Sequence, residues 1–425
     1  MIRMFQRVSA PLMIVLALSA CEPSPTQSTG EGTVSPVSES ARYSARQAGW
    51  MEVTDDAGWT DRAGLQAVRI GDAFYVMGGR TARPPAGPVV IPGDSDLWSD
   101  VWRSRDRGGT WTQVNDGSGA GHWPARAYFQ AVTKRGQMYV LGGQDFELIP
   151  NPTPGCTPPA CPPFISTSEF FNDVWVSRDG EEWRLVTEAA AWGPRAGLTS
   201  VVLRDEIYVF GGSFNDDPAV IGGPPLRVYF NDVWKSRDGS TWELLTEHAP
   251  WAPRAGAAAV VKDGYIYLLG GEEGFICQPV GFCTPPYFND VWRTRDGVNW
   301  EQVTASADWS PRPGHQAEVI GDRIYLFGGF GQSQDPTNPF AAANPMDIWS
   351  SSDGRDWRLV SGAPWQAADP GEIKYDFAAL SAFGSIYTFG GDRETFDFFD
   401  LTNYLKIDND VWRFRPDPGL SARLR

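Results

Sequence analysis

The stretch Phe230–Glu247 reads FNDVWKSRDGSTWELLTE. It is written again, little changed, as FNDVWVSRDGEEWRLVTE from Phe171 and as FNDVWRTRDGVNWEQVT from Phe288. Each copy holds two short β-prone runs around a Ser/Thr-Arg-Asp-Gly turn. The Ser and Asp side chains can bond the backbone of such a turn, and Gly takes the positive φ that closes it. The string therefore predicts a β-hairpin. A chain that repeats one hairpin stacks a supersecondary unit on copies of itself.

A Gly-Gly pair precedes each copy, at Gly78, Gly142, Gly211, Gly270, Gly328 and Gly390, and ends a β-like run such as EIYVFGG. An Asp-aliphatic-Trp element follows each pair and ends at Trp102, Trp175, Trp234, Trp292, Trp349 and Trp412. The unit thus occurs six times. Each copy reads as four short strands rich in β-branched and aromatic residues, with no sustained helical period. The sixth stops at NDVWRFRPDPG, without a turn or a fourth strand. GWMEVT, from Gly49 to Thr54, reads as an orphan fourth strand, with Trp50 where other units have Trp111, Trp183, Trp242, Trp300 and Trp357. The N-terminal strand is expected to complete the last blade, which removes an exposed sheet edge.

This pattern resembles the kelch family of β-propellers over about residues 48–415, on the Gly-Gly pair of the second strand and the Trp of the fourth. The expected fold is all-β, a six-bladed kelch-type β-propeller. Its period, roughly 62 residues, exceeds the roughly 50 of a kelch unit. SRDRGGTW, Ser104 to Trp111, also resembles the Asp-box, and SRDGEEW, SRDGSTW, TRDGVNW and SSDGRDW are versions one residue shorter. That motif is structural and carries no sialidase chemistry.

Net charge is −16 over 425 residues, which argues against a nucleic-acid partner, since phosphate contacts need a basic face. Residues 1–20 read as a signal peptide: Arg3 and Arg7, then an apolar run from Ala10 to Ala20 too short to span a bilayer. Leu18-Ser19-Ala20-Cys21 resembles the lipobox of bacterial lipoproteins, which implies cleavage before Cys21 and lipidation of Cys21. Several acyl chains would then anchor the protein stably to a membrane. Glu22 in place of Asp goes with sorting to the outer membrane of the cell envelope. The rest of 21–47 reads as a flexible Ser/Thr/Pro-rich tether, and 416–425 as a tail. Four cysteines remain in two close pairs, Cys156 with Cys161 and Cys277 with Cys283. Of three pairings the local one closes two small loops. Zinc is the competing reading, but neither pair has C-x2-C spacing.

Two features point to a ligand. Trp59, Trp123, Trp192, Trp251 and Trp309 each precede an Arg by three residues: Arg62, Arg126, Arg195, Arg254 and Arg312. The sixth unit departs, with Trp365 followed later by Lys374. These Arg either ring one mouth of the central channel as an anion site, or pair with the Asp that opens each third strand. The segments after the Gly pairs are long and share one face, where function usually resides. They carry acids that include Asp145, Glu272 and Asp392.

The kelch resemblance admits enzymes. A radical copper oxidase needs two His and two Tyr on one metal, and His122, His248 and His315 are scattered, so neither metal nor cofactor is expected. A periplasmic sugar mutarotase of the sialic-acid type needs only a carboxylate and an Arg in the funnel. Glu272, Asp392 or Asp145 beside Arg254 or Arg312 would serve. The reading favoured is a monomeric, lipid-anchored, non-enzymatic module that binds a protein or glycan on its long-loop face. Replacing Cys21→Ser is expected to release the protein from membranes or block its maturation. A processed Cys21→Ser form that still sediments with membranes contradicts the lipoprotein reading.

Overall fold

The computed structural model describes residues 49–84, 95–119, 121–145, 147–153, 155, 164–216, 227–274, 286–331, 347–362, 374–394 and 402–416. The expected lipidation site Cys21, the expected disulfide partners Cys156, Cys161, Cys277 and Cys283, and Trp365 all lie outside the described residues. Six four-stranded antiparallel sheets form the blades of a propeller. In the third blade, Thr199–Leu203, Glu206–Phe210, Val233–Ser236 and Glu243–Thr246 run from the inner strand to the outer. The inner strands neighbour one another around a closed ring, so hydrophobic cores form between blades, each shared by two neighbours.

Residues 230–247 form the expected hairpin. Ser236 Oγ accepts the N–H of Gly239 at 2.8 Å, and Asp238 accepts the N–H groups of Ser240 and Thr241 at 2.8 Å. The Trp242 indole donates back to the Gly239 carbonyl at 3.0 Å. Gly239 sits at φ 78°, which only Gly adopts without strain. The Thr241 N–H holds the Asp238 carboxyl below its ordinary range.

The Gly pairs end the second strand as expected in blades two, three and five, after Leu141, Phe210 and Phe327, and depart from expectation in the others. In blades one, four and six the second strand does not end there but continues, as Ala73–Ala82, Tyr265–Glu272 and Ser385–Asp392. The register shifts across the pair, between Met77 and Gly79 for example. Gly78 at φ 60° and Gly79 at φ 99° make a bulge that bends the strand without stopping it. A Cβ on Gly79 would stand 2.8 Å from the Ala63 carbonyl, so close backbone approach also requires glycine.

One cluster is built the same way in blade after blade. Arg254 donates to both carboxylate oxygens of Asp290, at 2.6 and 3.0 Å, and to the Gly270 carbonyl at 2.9 Å. Asp290 also accepts the Trp292 indole N–H at 2.7 Å. Arg62 with Asp100, Arg126 with Asp173, Arg195 with Asp232 and Arg312 with Asp347 repeat it. In the sixth blade Lys374 takes the cation's place, 2.6 Å from Asp410 and 2.9 Å from Asp408. Trp59, Trp123, Trp192, Trp251 and Trp309 are buried beside their Arg and stand edge-on to the fourth-strand Trp at 5.7–6.2 Å.

The same residues link the blades. The Arg or Lys carbonyl accepts the N–H of the second Gly in the preceding blade, from Gly79 to Arg126 onward and back from Gly391 to Arg62, six bonds in all. The N-terminal strand closes the circle: Gly49–Thr54 pairs with Ile407–Arg415 and sets Glu52 opposite Trp412. Trp50, 8% exposed, packs on Phe414 at 5.2 Å and Phe327 at 6.3 Å.

Trp50→Ala should therefore lower stability by roughly 3–5 kcal/mol, whereas deleting residues 22–44 should leave the melting temperature nearly unchanged. Equal tolerance of both changes contradicts closure by this strand. Arg254→Ala strands a buried Asp290 carboxylate and should also cost roughly 3–5 kcal/mol in denaturant unfolding. A loss below about 1 kcal/mol, the range of an exposed pair, contradicts the clamp.

Candidate functional site

At the long-loop mouth of the channel, the residue two beyond each clamp cation joins a second closed ring. Tyr128 donates its N–H to Gly64, Gly197 to Tyr128, Gly256 to Gly197, Gly314 to Gly256, Asp376 to Gly314 and Gly64 to Asp376, at 2.7–3.0 Å. All six take φ between 50° and 65°, the left-handed region. Four are glycine. Tyr128 and Asp376 are not, although that conformation is unfavourable for a residue with a Cβ.

The next layer is the residue after each Gly pair: Arg80, Gln144, Ser213, Glu272, Phe330 and Asp392. All are at most 7% exposed. These equivalent positions carry a cation, an amide, a hydroxyl, an aromatic ring and two acids. Arg80 reaches Asp392 at 2.5 Å and donates to the Tyr128 hydroxyl at 2.7 Å. Asp392 also accepts the Glu394 N–H at 2.8 Å. Glu272 accepts the Tyr229 hydroxyl at 3.0 Å and the Gly274 N–H at 2.6 Å, with Arg227 3.4 Å away. Gln144 donates to Asp216 at 2.8 Å.

Burial, with Asp392 close by, pushes the Asp376 carboxyl up to about 7. The same two causes push Glu394 to about 8. On the inner strand Gln316–Ile320, burial raises the Glu318 carboxyl to about 7, although Ser381 bonds it. Asp376 and Tyr128 keep some accessible surface while protein surrounds them. Both belong to the ring of backbone bonds that joins the starts of the inner strands. Among the described residues no three His, Cys, Asp or Glu side chains converge as a metal site.

The residues singled out from sequence fall into three groups. Arg126, Arg195, Arg254 and Arg312, with Trp123, Trp192, Trp251 and Trp309, are buried in the clamps, where each guanidinium is held by its own Asp and no free fork faces the channel. Glu272 and Asp392 lie in the channel mouth, beside Arg227 and Arg80 instead of Arg254 or Arg312. Asp145 lies outside the mouth layer and accepts the Glu169 N–H at 2.6 Å, which ties down a loop. Sequence reading missed Arg80, Tyr128, Asp376 and Glu318. Aligning the units at the clamp cation exposes two of them: Arg-Ala-Gly, Arg-Ala-Tyr128, Arg-Ala-Gly, Arg-Ala-Gly, Arg-Pro-Gly, Lys-Tyr-Asp376.

Known proteins resemble this chain in sequence or in fold. Adagio-like protein 1 of Oryza sativa subsp. japonica is 26% identical over 285 residues, 63% of this chain and 39% of that protein. Beta-scruin of Limulus polyphemus is 26% identical over 227 residues, 53% of this chain and 21% of that protein. The chain thus spans well under half the length of these relatives. The solved structure of YjhT aligns with a TM-score of 0.56 at 16% identity, covering 84% of this chain and 96% of that one, a likeness of fold. Residues 64–329, more than half of the chain, match the KLHDC2/KLHL20/DRC7 Kelch-repeats domain, and the protein belongs to that Kelch-repeat family.

Proposed function

We propose that this chain is a non-enzymatic binding module, lipid-anchored at the bacterial cell envelope, that takes a protein or carbohydrate ligand on its long-loop face. Kelch propellers commonly serve as protein-binding modules. The contrast between repeated and unrepeated positions carries the reading. Clamp positions keep one chemistry around the ring, whereas the six mouth positions carry five different ones. Scaffold need not diversify like that; positions that set the shape and charge of a specific mouth do. The burial of Glu272 at 3% and Asp392 at 0% exposure speaks against either as a proton shuttle to substrate. Exposed apolar groups beside the mouth support docking: Phe214 at 37% and Val228 at 47%, with Phe170 packed on Phe214 at 5.1 Å. The observation that favours the sugar-mutarotase alternative is Asp376, whose carboxyl burial pushes up to about 7, with Arg80 among its neighbours.

Glycan arrays and envelope extracts supply the ligand for the test. The double change Phe214→Ala with Val228→Ser is expected to weaken it at least tenfold at an unchanged melting temperature. Asp238→Ala, on the opposite face, should lower the melting temperature and leave affinity intact. Binding lost with Asp238→Ala and kept in the loop-face variant contradicts the proposal. Sugar anomer exchange seen by NMR and abolished by Asp376→Asn favours the alternative.

A further inference from the structure

We propose that Tyr128 and Asp376 are the ligand-contacting residues of the channel mouth, kept where the ring calls for glycine, and that Asp376 receives the ammonium group of a partner protein's lysine. This rests on the loop-face reading and names the chemistry it would recognise. Six equivalent backbone positions hydrogen-bond in one ring at one left-handed conformation. Glycine satisfies that ring without strain, and four blades use it. The two departures cost stability of the kind that persists at functional sites. They also share a neighbourhood. The Tyr128 hydroxyl and Asp392 both bind Arg80, and Asp392 and Arg80 both act on the Asp376 carboxyl.

Charge selects the ligand group. Asp376 is faced by Asp392, Glu272, Arg80 and Arg227, with Tyr128 and Tyr375 nearby. Arg80 is committed to Asp392 and Tyr128, and Arg227 donates to Ser213 at 2.8 Å beside Glu272. Asp376, Asp392 and Glu272, with Glu394 beside Asp392, outnumber the two guanidinium groups, and no donor among the described residues bonds the Asp376 carboxylate. An arriving monovalent cation offsets that excess of acid. Both side chains lie against the ring backbone: a Cβ on Gly314 would stand 2.6 Å from Asp376 Oδ1, and one on Gly64 3.2 Å from the Tyr128 ring. A lysine brings a compact single charge on a slim stem to such a carboxylate. An arriving ammonium favours the ionised carboxylate and displaces its proton to solvent.

The test uses the full chain with Nα-acetyl-lysine amide, glucosamine and the neutral Nα-acetyl-norleucine amide as probes. The lysine probe is expected to bind roughly tenfold more tightly at pH 8 than at pH 6, as Asp376 ionises, with the neutral probe silent. Asp376→Gly should raise the melting temperature by removing both strain and a buried acid, and should abolish lysine binding. Asp376→Asn should abolish binding without relieving the backbone. Its gain in stability should be larger at pH 8 than at pH 4.5, because an acid whose pKa rises on folding destabilises the fold increasingly up to about pH 7. A lower melting temperature for Asp376→Gly, unchanged lysine binding in it, or binding of glucosamine alone overturns the proposal. If no amine binds while Phe214→Ala still weakens a captured partner, this inference fails and the loop-face reading stands.

Discussion

The buried ion pair between the cation before each inner strand and the Asp of the same blade's third strand is the constraint on which the rest depends. A charge removed from water must be paired and its remaining valences filled. Each Arg62-type guanidinium therefore takes both oxygens of one Asp and the carbonyl of the first Gly, and that Asp takes an indole N–H two residues on. Loss of any partner strands the others. That is why Trp-x-x-Arg, Gly-Gly and Asp-x-Trp recur together, and why Lys374 can serve in the sixth blade only with two acids, Asp408 and Asp410, around it. The clamp also orients the Arg carbonyl toward the neighbouring blade's Gly N–H, so local ion pairing and global ring closure are one arrangement.

Much of this was legible in the sequence because each structural residue does the same job several times. Trp50 could be placed from sequence alone, since five other tryptophans mark the same site and its own blade lacked one. Trp98, left over from the repeat, stacks on Arg62 at 5.2 Å and donates to Thr81 at 2.8 Å. The Arg remained ambiguous. An Arg at a channel mouth and an Arg clamped beneath it have the same spacing from Trp, and only the bidentate contact to Asp290 or Asp347 separates the two. The Gly pairs were read as strand ends because Gly usually punctuates a strand. In blades one, four and six the paired positive φ values instead bulge the strand and let it continue.

The mouth was hardest to read, for a physical reason. Repetition reveals residues that solve a problem common to all blades, whereas a ligand is contacted once. Tyr128, Asp376 and Arg80 stand out only when the units are aligned and the exceptions are kept. Glu272 and Asp392 were found because acids in long loops attract notice, yet their meaning came from their partners, Arg227 and Arg80. The scaffold thus places unlike side chains at equivalent points around one axis, and two of them occupy backbone positions that suit glycine better.

The central claim is that the channel mouth is an enclosed, charge-imbalanced site and not an open solvent-facing rim. Side-chain carbon NMR of Asp376 across a pH titration tests it most directly. The account predicts a midpoint near 7, set by surrounding protein and by Asp392. A midpoint near 4, the ordinary value of an aspartate in water, would contradict it.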